Sequence, residues 1–244
     1  NFGNVQEMSW TGWTFNPGTV VDFSQATNIN HSSFYTKQGV KLSFPAATSY
    51  TTLYNRVIQA QGIGSEIDLS SLTTMTGATQ ISYNYWGLIG DGYILYLQAL
   101  DGGLVDLSGV QQITSGVTQV LADGSNSIVD LSSLTSWVDN DPGDTSAITV
   151  SHGGTVLIPH LQDLYAVDLN FNGDGNLDTS SLKTWKNSNI TVTGTNLNFS
   201  NLIDVTSSGF NLSNTNLNFG NVQEMSWTGW TFNPGTVVDF SQAT

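Results

Sequence analysis

The chain has 244 residues, 39% of them hydrophobic and 11% aromatic, enough apolar material for a sizeable core and too much for a disordered chain. Only 10% are charged, with 19 Asp and Glu against 5 Lys and Arg, so the formal net charge is −14 and the surface repels phosphate backbones, which excludes nucleic acid as a partner. There is no cysteine, hence no disulfide or thiolate chemistry, and no run of about 18 apolar residues that would insert into a membrane.

Residues 1–27, NFGNVQEMSWTGWTFNPGTVVDFSQAT, return unchanged at 218–244. Asn1 and Asn218 are therefore equivalent, and the period is 217 residues (218 − 1). The expectation is a window on a long tandem array, in which 1–217 is one repeat and 218–244 opens the next. Inside the copied stretch, Trp10-Thr-Gly-Trp13-Thr-Phe15 sets Trp13 and Phe15 on one strand face and Trp10 on the other.

A shorter repeat runs through the whole period: apolar, polar, apolar, then Ser, Pro or Gly, any residue, apolar. It begins at Val21, Leu42, Ile67, Val105, Val129, Val156, Leu177, Leu197 and Leu217, and restarts at Val238. The intervals are 21, 25, 38, 24, 27, 21, 20, 20 and 21 residues, which close on 217 without remainder. The first three positions alternate, so two apolar side chains share a face and the polar one opposes them. Asp22, Asp68, Asp106, Asp130, Asp178 and Asp239 hold that polar place, each two residues before a backbone N–H that its carboxylate can brace at a corner. Recurrence once per motif favours a structural corner role over a catalytic carboxylate pair, which would occur once. Glycines such as Gly39, Gly64, Gly103 and Gly154 precede the motif, where the chain must turn tightly.

Taken in order, the stretches between motifs add four features. Thr51 to Ala60 is the one candidate for a short helix, though no apolar stripe at helical spacing sustains it. The 38-residue interval suggests a hairpin insertion at 79–100, whose Tyr83, Tyr85, Trp86, Tyr93 and Tyr96 form a candidate contact patch for a glycan or a neighbouring chain. Asp139-Asn-Asp141-Pro-Gly-Asp144 is an acidic loop. The run from Asn170 to Asp178 places Asn170, Asn172, Asp174, Asn176 and Asp178 at alternate positions, as a calcium loop would, with an ordinary Gly-Asp-Gly corner as the competing reading. His31, His152 and His160 have no metal-like spacing and read as surface or corner residues.

Coils of about 20–27 residues with two or three short strands each, stacked so that parallel ladders satisfy their backbones, make an all-β chain with little or no helix, a single continuous β-solenoid over 1–244. With the VDLSSLT-like motifs in view, the sequence resembles the parallel β-helix repeats of bacterial cell-surface proteins, the filamentous-haemagglutinin type of adhesin among them. The resemblance implies an extracellular or cell-surface setting and carries over no functional residue. Three functions follow in order of preference: a non-enzymatic structural fibre, sheath or stalk that associates with copies of itself in tandem and laterally; an adhesin or glycan-binding module; and a polysaccharide lyase or hydrolase.

Overall fold

The computed structural model describes residues 2–80, 92–141, 144–194, 197–241 and 243. Among these there is no helix, and the chain winds into a parallel β-solenoid of about nine turns. Each central turn has three sides. Thr118–Asp123, Ile128–Asp130 and Ser136–Val138 make one such turn before Ser146–Ser151 starts the next. The first side stacks into a ten-stranded parallel sheet from Gly12–Phe15 to Gly229–Phe232; the other two form six-stranded parallel sheets, and Asn216–Asn218 pairs with Val237–Asp239.

The cause lies in the alternation. In the motif strands only the middle residue is buried, and Leu42, Ile67, Val105, Val129, Val156 and Leu177 lie directly opposite one another from turn to turn. The first residue of each motif is thus its register mark. The motif's third and sixth positions, such as Leu69 and Leu72 or Leu131 and Leu134, are also fully buried. On the long sheet Trp13, Phe34, Ile58, Leu97, Val120, Ile148, Leu169, Ile190, Phe210 and Trp230 form one continuous inward column. Stacked burial of this kind is worth about 1.5–3 kcal/mol per large apolar side chain, and no turn can obtain it without its neighbours.

The corners need left-handed backbone. One column, after the long strands, holds Gln38, Gly62, Asp101, Gly124, His152, Gly173, Gly194 and Asn214, all at positive φ. A second, before them, holds Trp10, His31, Ala166, Asn187, Ser207 and Trp227, without a glycine.

Two expectations are corrected. Thr51 to Ala60 is not helical: Ser49–Thr52 and Arg56–Gln61 are strands, because Ile58 and Ala60 bury at alternate positions against Leu97 and Ala99. Of the hairpin expected at 79–100, Leu95–Leu100 instead belongs to the long sheet, paired on both sides with Arg56–Gln61 and Thr118–Asp123. Residues 81–91, which include Tyr83, Tyr85 and Trp86, lie outside the described residues.

Candidate functional site

The exposed aromatic groups of the first turns converge on one corner. The left-handed backbone at Trp10 and His31, φ 61° and 57°, turns both side chains outward while the ladder continues through Trp10 N–H to Asn30 O and His31 N–H to Thr51 O. The Trp10 and His31 rings stack at 4.0 Å; Tyr54 lies 6.1 Å from Trp10, and Tyr93 meets Tyr54 edge-on at 5.0 Å. The Arg56 guanidinium sits 5.7 Å over the Trp10 ring and donates through Nε to the His31 carbonyl. Trp10 is 53% exposed and Tyr54 37%, so the strip offers ring faces and a cation to solvent. Nδ1 of His31 accepts the Leu53 N–H at 3.2 Å, and burial, then Arg56, lowers the pKa of the ring, which is neutral at pH 7. Flat aromatic faces beside a cation stack on the C–H faces of sugars and on other rings.

Of the aromatic patch expected from sequence, Tyr93 joins this strip, whereas Tyr96 lies in the long sheet opposite Val57 and Gln119. Sequence reading missed Tyr54, His31 and Arg56 as its other members. A signal existed: Trp10, His31 and Arg56 each stand eleven residues before the first residue of a motif, Val21, Leu42 and Ile67.

The motif carboxylates are spent on corners. Oδ1 accepts a backbone N–H two residues on in every case: Asp22 from Ser24 at 2.9 Å, Asp68 from Ser70 at 3.0 Å, Asp106 from Ser108, Asp130 from Ser132 and Asp178 from Ser180 at 2.9 Å, and Asp239 from Ser241 at 2.8 Å. Asn198 and Asn218 do the same for Ser200 and Gly220. Where the motif lacks its third apolar residue, Thr179 fills the place, buried, its hydroxyl donating to Asn198 O at 2.7 Å.

The expected calcium ligands are strung around a corner. Asn170 and Asn172 sit on the long-sheet strand Val167–Asn172, Asp174 accepts the Gly153 N–H at 3.0 Å from the turn below, and Asn176 opens the next side in Asn176–Leu177. Among the described residues no group of three or more His, Cys, Asp or Glu is placed to hold a metal. His152 bonds Asp123 at 2.6 Å, which raises the pKa of the imidazole, and Ser151 donates to the same oxygen. His160 bonds Ser132 O at 2.7 Å. No family model, no curated protein and no solved structure matches the chain.

Proposed function

We propose that residues 1–217 are one repeat of a long extracellular or cell-surface β-solenoid that forms a fibre, sheath or stalk and has no enzymatic role. The observation that supports this reading is the equivalence of the two 27-residue copies. Trp10 and Trp227 share φ at 61° and 60°, Gly18 and Gly235 share 80°, and both copies pair in parallel with their neighbouring turns. A stack built this way continues from repeat to repeat without change of geometry. Identical tandem copies add length, which serves a fibre and adds nothing to a catalyst.

The experiment is electron microscopy of the protein purified from its source, with and without a calcium chelator. Rods repeating at roughly 43 Å, nine turns of about 4.8 Å, are the expected result; compact separate particles overturn the reading. Fraying of the rods on chelation would assign calcium to the Asn170–Asp178 loop.

A second reading, an adhesin or glycan-binding module, is favoured by the Trp10, His31, Tyr54 and Tyr93 strip with Arg56. Under it, Trp10→Ala with Tyr54→Ala reduces binding to immobilised glycans at least tenfold while the melting temperature stays near that of the parent. Unchanged binding discards the strip and moves the test to Tyr83, Tyr85, Trp86 and Tyr96.

A further inference from the structure

The long sheet carries a regular grid of small polar side chains on its outer face. Over Ser146–Ser151, Val167–Asn172, Asn189–Thr193 and Gly209–Ser213 the pairing runs without a shift, so outward side chains fall into straight files. One file is Thr149, Asn170, Thr191 and Asn211. The next, two residues further along each strand, is Ser151, Asn172, Thr193 and Ser213. No charge and nothing larger than asparagine stands among these eight, in a chain of net charge −14. Asp168 borders the grid, and both its oxygens turn to Asn189, to the N–H at 2.6 Å and the amide at 3.4 Å. The grid stops on one side at Leu121 and Asp123, which continue the two files past Thr149 and Ser151.

The polar groups of the grid are turned to solvent. Ser151 donates to Asp123 at 2.6 Å and Asn211 accepts from Asn233 at 2.8 Å; the side chains of the other six make no hydrogen bond to the protein among the described residues. Each therefore bonds water, at a place fixed by the backbone ladder and, for the threonines, by a stiff χ1. Successive turns set these groups about 4.8 Å apart. One water bonded to both neighbours, through bonds of about 2.8 Å that meet at the tetrahedral angle, spans about 4.6 Å. Second-neighbour oxygens in hexagonal ice are separated by that same distance, because the crystal is built from the same pair of bonds. The two files lie about 6.7 Å apart, two residues of strand, a little less than the axial repeat of the lattice.

We propose that this face binds ice, the four strands ordering a layer of water whose spacing continues into the crystal. The occupant follows from the chemistry of the grid. A protein partner needs aromatic or apolar anchors, a sugar needs a ring face to stack on, and an ionic ligand needs charge; the grid offers none of these. An ice surface is uncharged, presents donors and acceptors alike, and repeats in two dimensions as the grid does. Threonine hydroxyls and asparagine amides also both donate and accept, so each site receives a water in either orientation. A chain held there blocks growth beneath it, and the ice front must curve between neighbouring chains. This inference does not depend on the fibre reading.

The test is to freeze part of a solution of the full chain slowly onto a cold surface and compare tryptophan absorbance in the melted ice and in the remaining liquid. The parent should enter the ice. Its ice-to-liquid ratio should exceed by about tenfold that of the double variant Thr149→Lys with Thr191→Lys, which puts two charges on the grid. Thr155→Lys, on a strand of a different sheet, should partition like the parent. Melting temperatures near that of the parent separate loss of binding from loss of fold. Should the lysines unfold the chain, Thr191→Tyr keeps a good strand former and raises a ring above the grid, and it should lower the ratio in the same way. Exclusion of the parent from the ice, or equal ratios in the parent and the grid variants, overturns the proposal. Exclusion together with parent dimers in sedimentation that Thr191→Tyr disperses overturns it too, and assigns the face to a second copy. The rods of the source protein decide the fibre reading separately.

Discussion

Asp178 and Asp139 both brace turns, and the same substitution separates them. Asp178 spends one oxygen, Oδ1, on the Ser180 N–H. An asparagine oxygen does the same work, as Asn198 and Asn218 do at equivalent corners. Asp178→Asn should therefore change stability at pH 7 by less than about 0.5 kcal/mol. Its effect appears in acid. The Ser180 hydroxyl and then its N–H hold the Asp178 carboxyl below the ordinary 3.8, so the unfolded chain takes up the proton first; the contribution is present above 3.8 and is lost as the pH falls through the folded value. Asp22 and Asp239 carry shifts of the same sign. Replacing all three by Asn should flatten the acid side of the stability curve in thermal melts from pH 6 to about 2.5; an unaltered slope would remove these corners as its source. Asp139 differs because both its oxygens accept, from the Asp141 and Ser146 N–H groups at 2.8 Å each, inside a site only 1% exposed. Burial raises its pKa, so its contribution has the opposite sign, full below 3.8 and lost as the pH rises through the folded value. In Asp139→Asn one N–H must face the amide NH₂, and the orphaned donor should cost about 1–3 kcal/mol in urea denaturation at pH 7.

Corners between strands divide in the same manner. At Gly103 an added Cβ would lie 2.1 Å from the Ala60 carbonyl oxygen of the turn below, whereas at Gly39 nothing is nearer than 3.8 Å and only the φ of 86° opposes a side chain. Gly103→Ala should thus destabilise by about 3 kcal/mol or more and Gly39→Ala by about 1. Equal costs in denaturant would refute the steric assignment. Both glycines were legible as corner residues from their place before a motif, but the two causes were not, since the close approach is to a residue 43 positions away (103 − 60). The motifs were legible for a related reason: their strands run on into the corner, so the first, third and sixth motif residues are buried and leave a pattern, and Leu42, Ile67 and Val105 kept it across intervals of 25 and 38 residues. The third side was not. Its strands Ser136–Val138, Asp163–Tyr165 and Thr184–Lys186 each bury a single residue, Trp137, Leu164 or Trp185, and one residue has no period. Leu95–Leu100 does alternate, yet the Gly- and Tyr-rich stretch before it drew it into the expected insertion. The aromatic strip stayed hidden because Trp10, His31 and Tyr54 are neighbours only after the coil has closed.

Stacking turns about 4.8 Å apart also stacks their charges. Asp68, Asp106 and Asp130 lie directly opposite one another in three successive turns, and the net charge of −14 leaves few cations to offset them. Three ion pairs occur among the described residues, and Lys41–Glu66, the shortest along with the His152 pair, has a lysine side chain 71% exposed. Exposed pairs contribute only about 0–1 kcal/mol each, so screening should remove more repulsion than attraction. Raising NaCl from about 0.05 to 1 M, which shortens the screening length to about 3 Å, should therefore raise the melting temperature by about 2–4 °C, the shift that roughly 1 kcal/mol produces in a chain of this size. Salt also strengthens apolar burial, so the melting shift alone does not identify its origin. Asp106→Asn does: it keeps the Ser108 brace, breaks the run of carboxylates at its centre, and should reduce the salt-induced rise by a third or more. A variant that responds to salt like the parent would assign the effect to burial and leave the column neutral in the energetics. If the reduction is found, the same column bears on the proposed fibre, in which every added repeat would bring the same three carboxylates and make the stack more acidic as it lengthens. Under that proposal, lateral association would be opposed at low ionic strength and favoured as salt rises, so light scattering of the source protein should increase with NaCl and begin at lower salt in Asp106→Asn.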